Sequence, residues 1–125
     1  MQDMTFIIKI DSPVADLWLA LGTAGVNIQA SCTFPSLDGR MVRVVVEDAD
    51  ADKAREALLA AGFGALDRHE VLIADIDNSP TALGDLARRV ADAGIRLTTL
   101  YMAMGDRVVI SSADLDALRA LLAAR

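Results

Sequence analysis

Apolar positions along this chain change their period repeatedly, and each change marks an element. Phe6–Ile10 is a short, β-branched apolar run and predicts a strand. Behind it stand Asp11, Ser12 and Pro13, after which Val14, Leu17, Trp18 and Leu21 recur at helical spacing. Those three residues predict a helix start: a capping side chain, then proline at the first helical position, where its missing N–H costs nothing. Gly25 predicts the stop. Val26–Phe34 is expected to be a second strand, Pro35–Gly39 a turn, and Met41–Val46 the strand that pairs back. Asp50 or Asp52 is expected to cap a second helix through Ala54, Leu58 and Ala61, closed by Gly62. A less regular strand is expected between Phe63 and His69.

The same order then returns. Val71–Ile76 predicts a strand, and Asp77–Pro80 a helix start. Leu83, Leu86 and Val90 are expected on one helical face, with Gly94 as the stop. Ile95–Met104 predicts a strand, Gly105 and Asp106 a two-residue hairpin turn with glycine first, and Arg107–Ile110 the returning strand. Ser112 or Asp114 is expected to cap a last helix along Leu115, Leu118 and Leu122, after which no fourth strand follows. The echo extends to single residues: Ala24–Ile28 returns as Ala93–Leu97, with Arg96 in place of Asn27.

This doubled order predicts an α+β fold made of two ferredoxin-like βαββαβ units, residues 1–68 and 69–125, the second lacking its last strand. Units of about 60 residues are near the lower limit for an independent core, so they are expected to share one antiparallel sheet with the helices on one face. Phe6–Ile10 and Met41–Val46 are apolar on both alternating sets, as strands buried on two faces are. Helices cover only one face, so the other is expected to pack on a second copy, giving a homodimer.

Composition narrows the function. The formal charge of −6 disfavours nucleic acid and anionic membrane surfaces as partners. Hydrophobic residues make up 54% of the 125, yet no apolar run approaches the roughly 20 residues of a membrane span. Met1–Phe6 carries no basic segment or cleavage pattern, and the single Cys32 allows no internal disulfide, so a cytoplasmic location is expected.

Strand, Asp/Pro turn, amphipathic helix and Gly-apolar-Asn-apolar segment together resemble the ACT domain, whose pattern is roughly D-x-P-G-x-L, helix, G-[IV]-N-I. In the second unit Pro80, Leu83 and Gly94 fall in register, with Thr81 where the family usually has glycine. In the first, Gly25–Ile28 fits in full, but Pro13 lies two residues closer to its glycine than Pro80 does to Gly94. The two units span nearly the whole chain, which therefore resembles small proteins made of tandem ACT domains. The resemblance implies an amino-acid-binding regulatory module, with units paired side by side and ligand held at their junction. It implies one competent site, from Asn27 and Ile28 with Asp77, Asn78, Ser79, Pro80, Thr81, Ala82 and Leu83. A second, degenerate site would combine Asp11, Ser12 and Pro13 with Arg96. Free N–H groups at a helix start favour a carboxylate, an Asn amide offers a donor and an acceptor, and Asp77 suits an ammonium group. The expected partners are a free amino acid and a regulated enzyme; the alternative function is a non-catalytic interaction subunit controlling a separate enzyme of amino-acid metabolism.

Each candidate has a simpler reading. Asp11, Ser12, Asp77 and Ser79 are also ordinary helix caps, and Asn27 also suits a turn after Gly25. Arg96 reads as a solvated charge and His69 as a surface side chain. Asp48, Asp50 and Asp52 imitate the start of a calcium loop, but Lys53 replaces the required glycine and Leu59 the bidentate glutamate. Cys32 reads as a buried small residue, and Met102 and Met104 as packing. With no paired general acid and base, no histidine beside a nucleophile and no phosphate loop, neither catalysis nor a cofactor or metal is expected.

Overall fold

The computed structural model describes residues 1–11, 13–65 and 67–124. In chain order these form β1 (Gln2–Ile8), α1 (Val14–Thr23), β2 (Ala30–Ser36), β3 (Gly39–Val46), α2 (Ala51–Ala60), β4 (Asp67–Glu70), β5 (Leu72–Asp75), α3 (Ala82–Asp92), β6 (Leu97–Ala103), β7 (Arg107–Ser112) and α4 (Leu115–Ala123). A 3-10 turn, Asp48–Asp50, leads into α2. The chain divides into two compact units, Met1–Glu70 and Val71–Arg125. Both are α+β and ferredoxin-like, and every strand pair is antiparallel. The first unit orders its strands β2-β3-β1-β4, and the second β5-β7-β6, the same order without a fourth strand. Hydrogen bonding thus gives one sheet per unit, where the sequence pattern predicts a shared one: β4, four residues long, pairs with β1, whereas β5 pairs with β7.

In the first unit alternation decides which face is covered. Met4 and Phe6 of β1 point the same way as Val42, Val44 and Val46 of β3, because Phe6 lies opposite Val42 and Met4 opposite Val44. Leu17 and Leu21 of α1 and Ala51, Ala54 and Leu58 of α2 pack on that face, and all these residues are at most 1% exposed. Each large apolar side chain buried this way contributes about 1.5–3 kcal/mol. The Trp18 indole N–H donates to Ser31 Oγ at 3.0 Å, and that hydroxyl donates to the Arg43 carbonyl at 2.7 Å. A polar chain thus fixes α1 over the β2–β3 pair.

The second unit repeats the scheme on a smaller scale. Leu86 and Val90 of α3 and Leu118 of α4 pack on Val108 and Ile110 of β7, with Leu72, Ala74 and Leu100 around them. Asp114 caps α4 by accepting from the Ala117 N–H at 3.0 Å.

On the opposite sheet faces Asp3 and Val45, and Val109 and Ser111, are at most 2% exposed. No helix among the described residues is long and apolar enough to cross a membrane.

Boundaries shift in ways the local chemistry explains. The first strand begins at Gln2, not Phe6, because Asp3 and Thr5 alternate with buried Met4 and Phe6 and hide the strand behind polar residues. Val26–Gln29 is not strand, although the Gln29 N–H already bonds the Val45 carbonyl at 2.8 Å. Pro13 sits at the N-cap of α1 rather than at its first helical position, with no side-chain cap bond; Ser12 lies outside the described residues. The β6–β7 connection is three residues, Met104–Asp106, not two, and both Gly105 and Asp106 have positive φ, 71° and 53°. Leu83 is 36% exposed, so only Leu86 and Val90 of the predicted stripe are buried.

Gly39 is the position that least tolerates a side chain. Its φ is +140°, and a Cβ there would run into the Ile8 carbonyl oxygen on the neighbouring strand. Gly39→Ala should therefore destabilise the chain by about 1–3 kcal/mol or more. In urea unfolding this appears as a lower midpoint with an unchanged slope; an unshifted midpoint contradicts the account.

Candidate ligand site

The connection from β5 to α3 builds a concave site inside the second unit. Asp75 and Ile76 end the strand, and Ile76 stays tied to the sheet through its N–H to the Asp106 carbonyl at 2.9 Å. The chain then turns through Asp77–Thr81. Thr81 occupies the N-cap of α3 without a side-chain cap bond. Its carbonyl accepts from the Asp85 N–H at 2.8 Å, which starts the helical ladder. The N–H groups of Leu83 and Gly84 consequently open the helix with no side-chain acceptor, and the helix dipole adds partial positive charge there. Asp77, Asn78 and Ser79 make no side-chain hydrogen bond among the described residues, so the simple capping reading of Asp77 and Ser79 does not hold.

A cleft of about 230 Å³ opens at this turn, lined by Asp75, Ile76, Asp77, Ser79, Ala82, Asp85, Leu86 and Arg89. Ile76 and Leu86 form an apolar floor, 8% and 5% exposed. One wall is the helical stripe Ala82, Asp85, Leu86, Arg89, spaced as one face of α3. Arg89 is held in place, because its guanidinium donates to the Leu121 carbonyl of α4 at 3.1 Å. Its remaining donors suit a carboxylate. The volume is below the ~300–1,000 Å³ usual for drug-sized ligands, so the cleft suits something smaller.

The predicted site residues distribute unevenly. Asp77, Ser79 and Ala82 line the cleft; Asn78, Pro80, Thr81 and Leu83 belong to the same turn and helix start but do not line it. Asn27 and Ile28 lie in the first unit between α1 and β2, where Asn27 is exposed and Ile28 packs against the core. Asp11 and Pro13 are exposed in that unit, and Arg96 is exposed ahead of β6 in the second. Asp75, Ile76, Asp85, Leu86 and Arg89 were not among the sequence candidates. The last three follow Ala82 at three, four and seven residues, a spacing that marks them as its helical neighbours.

A second polar cluster lies on the first sheet. Asp3, 0% exposed, pairs through Oδ2 with an Arg43 guanidinium nitrogen at 2.9 Å, and the same nitrogen lies 3.3 Å from His69 Nε2. His69 is half-buried, not the surface side chain its neighbours suggested, because β4 lays it opposite Asp3. Cys32 lies opposite Arg43 on the next strand. Burial pushes its thiol up, against the lowering effect of the Arg43 charge, so it is no activated nucleophile. The acidic run ahead of α2 is occupied by ion pairs: Asp48 with the N-terminal amino group at 3.2 Å, Asp50 with Lys53 at 3.6 Å and Asp52 with Arg68 at 3.3 Å. Hydrogen bonds from that amino group and from Gln2 hold the Asp48 carboxyl below its ordinary value. Among the described residues no group of three carboxylates, histidines or cysteines is placed to hold a metal ion.

No protein-family model matches this chain, and no curated protein matches it in sequence. Its fold does match solved structures. A protein of Bacteroides thetaiotaomicron superposes with a TM-score of 0.80 at 23% identity, over 98% of this chain and 85% of that one. The ligand-free regulatory subunit of aspartate kinase from Thermus thermophilus gives 0.74 at 18% identity, over 98% and 88%. Aspartate kinase of Clostridium acetobutylicum gives 0.62 at 12% identity, over 96% of this chain but 31% of the longer one. These similarities show an ACT-like, ferredoxin-type fold.

The thiol chemistry gives a direct check. Iodoacetamide at pH 8 should modify Cys32 in the native chain several-fold more slowly than in urea-unfolded chain, followed by mass spectrometry. Equal rates would contradict the buried, raised-pKa thiol.

Proposed function

We propose that this chain is a non-catalytic regulatory protein that senses a free amino acid in the cleft between β5 and α3. The carrying observation is that cleft, whose polar groups sort by charge around an apolar floor in a fold shared with regulatory subunits of an enzyme. Arg89 and the opening N–H groups of α3 receive the α-carboxylate, and Asp77, whose side chain makes no hydrogen bond among the described residues, receives the α-ammonium group. Recognition of this kind makes and breaks no covalent bond. The expectation that Asn27 and Asn78 add amide hydrogen bonds to the same ligand belongs to the proposal and is tested with it. The homodimer expected from the strand pattern is a separate expectation on which the proposal does not depend.

A second reading has its own support. The Thermus thermophilus neighbour is a regulatory subunit, and in the Clostridium enzyme the matching fold is part of a longer chain. This chain then acts as an interaction subunit that controls a separate enzyme of amino-acid metabolism, with ligand occupancy as its input.

Thermal unfolding against a panel of free amino acids tests the first reading. Saturation at one hundred times the dissociation constant stabilises by ~2.7 kcal/mol, a rise on the order of 10 °C for a chain of this size. One amino acid, or a narrow chemical group, should produce it. Arg89→Ala and Asp77→Asn should abolish the rise, Asn27→Ala and Asn78→Ala should reduce it, and Arg96→Ala should leave it. A flat panel removes the sensing role and leaves the interaction subunit; an undiminished rise in both asparagine variants removes the asparagines from the site.

A further inference from the structure

The first sheet carries an apolar row at a place where its burial does not account for it. On the face away from α1 and α2, residues line up in rungs across β1, β3 and β2. Asp3, Val45 and Ala30 form one rung and are buried. Thr5, Arg43 and Cys32 form the next and are half-buried. Ile7, Met41 and Phe34 form the third, which is apolar throughout although Phe34 is 46% exposed. Leu37, at the tip of the β2–β3 hairpin, is fully exposed, and Ile10, past the end of β1, is 52% exposed. A sheet face left to water alternates to polar residues, and this end of the face does not. Single exposed apolar side chains are ordinary, but a contiguous row marks an interaction surface. Two opposite charges flank the row, Lys9 after β1 and Asp38 in the hairpin. Both are exposed, and neither is in an ion pair among the described residues.

We infer that this end of the sheet face is the interface of a homodimer, with a second copy of the chain as its occupant. The order of side chains and charges selects that occupant. A two-fold axis along β3, through Met41, keeps the strands of the two sheets aligned, as in sheets packed face to face. It lays Phe34 of each copy over Ile7 of the other. It also brings Lys9 of each copy toward the hairpin that carries Asp38 of the other. The patch is therefore complementary to itself in both apolar contact and charge. The edge of the sheet is less suited to a second copy, because Pro35 lies in the edge strand β2 and has no N–H to offer an added strand. This interface is independent of the sensing role proposed above, and it gives the homodimer expected from the strand pattern a defined surface.

Sedimentation velocity of the full chain between about 1 and 100 μM reads the assembly directly, because a dimer's population follows protomer concentration. A dimer is expected. Phe34→Glu and Leu37→Asp place a charge in the apolar contact, and each should raise the dimer dissociation constant about tenfold or more. Lys9→Glu should weaken the dimer, and adding Asp38→Lys to it should restore the assembly. A chain that stays monomeric at about 100 μM overturns the second copy and leaves the face to a different protein. A dimer unmoved by Phe34→Glu and Leu37→Asp overturns this face as its interface. So does a Lys9→Glu defect that Asp38→Lys does not repair. Lys9 and Asp38 are exposed, so the charge reversal carries the test even where Phe34→Glu fails to fold.

Discussion

Leu86 is the residue on which the second unit and its cleft both depend. It is 5% exposed and packs with Val90 on Val108 and Ile110, which fixes α3 on the sheet. The same side chain is the floor of the cleft beneath Asp77 and Asp85. A helix docked by its apolar stripe has no freedom to rotate, so the residues flanking that stripe are held at fixed positions. Asp85 precedes Leu86 and Arg89 follows it by three, and both are therefore set at the cleft's rim by a packing contact. The cleft shares its floor residue with the core.

The two units solve one problem with different margins. The first covers one face of four strands with α1 and α2 and adds the Trp18–Ser31–Arg43 hydrogen-bonded chain. The second covers three strands with α3 and α4 and has a shorter core. The corresponding turns differ too. The β1–α1 connection has five residues, 9–13, and places Pro13 at the N-cap, whereas the β5–α3 connection has six, 76–81, and places Thr81 there. The second connection carries Asp77 and Ser79, which line the cleft. In the sequence pattern only the second turn keeps the Asp/Pro spacing of the ACT resemblance.

Much of this was legible in advance, for physical reasons that differ by element. The helices announce themselves because burial on one face imposes a 3.6-residue period, and Gly25, Gly62 and Gly94 end them with positive φ. β7 and most of β3 are legible because valine and isoleucine crowd them. β1 is misplaced by four residues because Asp3 is buried at a position where the pattern predicts solvent. Its burial rests on Arg43, forty residues away, a pairing that no local window contains. His69 was misread for the same reason: its environment is set by β4 lying against β1, not by its sequence neighbours. In the cleft, the turn was legible as a motif, but Leu83 was assigned inward and is exposed. The helical positions that do line the cleft had the right spacing from Ala82, yet only the docking of Leu86 shows which side of α3 faces inward.

Charge placement separates the cleft from the other acidic features of the chain. The run Asp48, Asp50 and Asp52 is compensated locally by the N-terminus, Lys53 and Arg68, and ion pairs at such exposed positions are worth little individually. The Asp3 carboxylate is buried, and Arg43 lies against it. Around the cleft, by contrast, the single cation on the lining is drawn away: Arg89 spends a donor on the Leu121 carbonyl instead of closing on Asp85, four residues before it on the same helix. A helical Asp–Arg pair at that spacing ordinarily finds some mutual attraction, about 0.2–0.5 kcal/mol. Forgoing it costs little, and it leaves the carboxylate and the guanidinium apart on the rim of one concave surface. A surface with separated opposite charges above an apolar floor is complementary to a small molecule that carries opposite charges on an aliphatic frame.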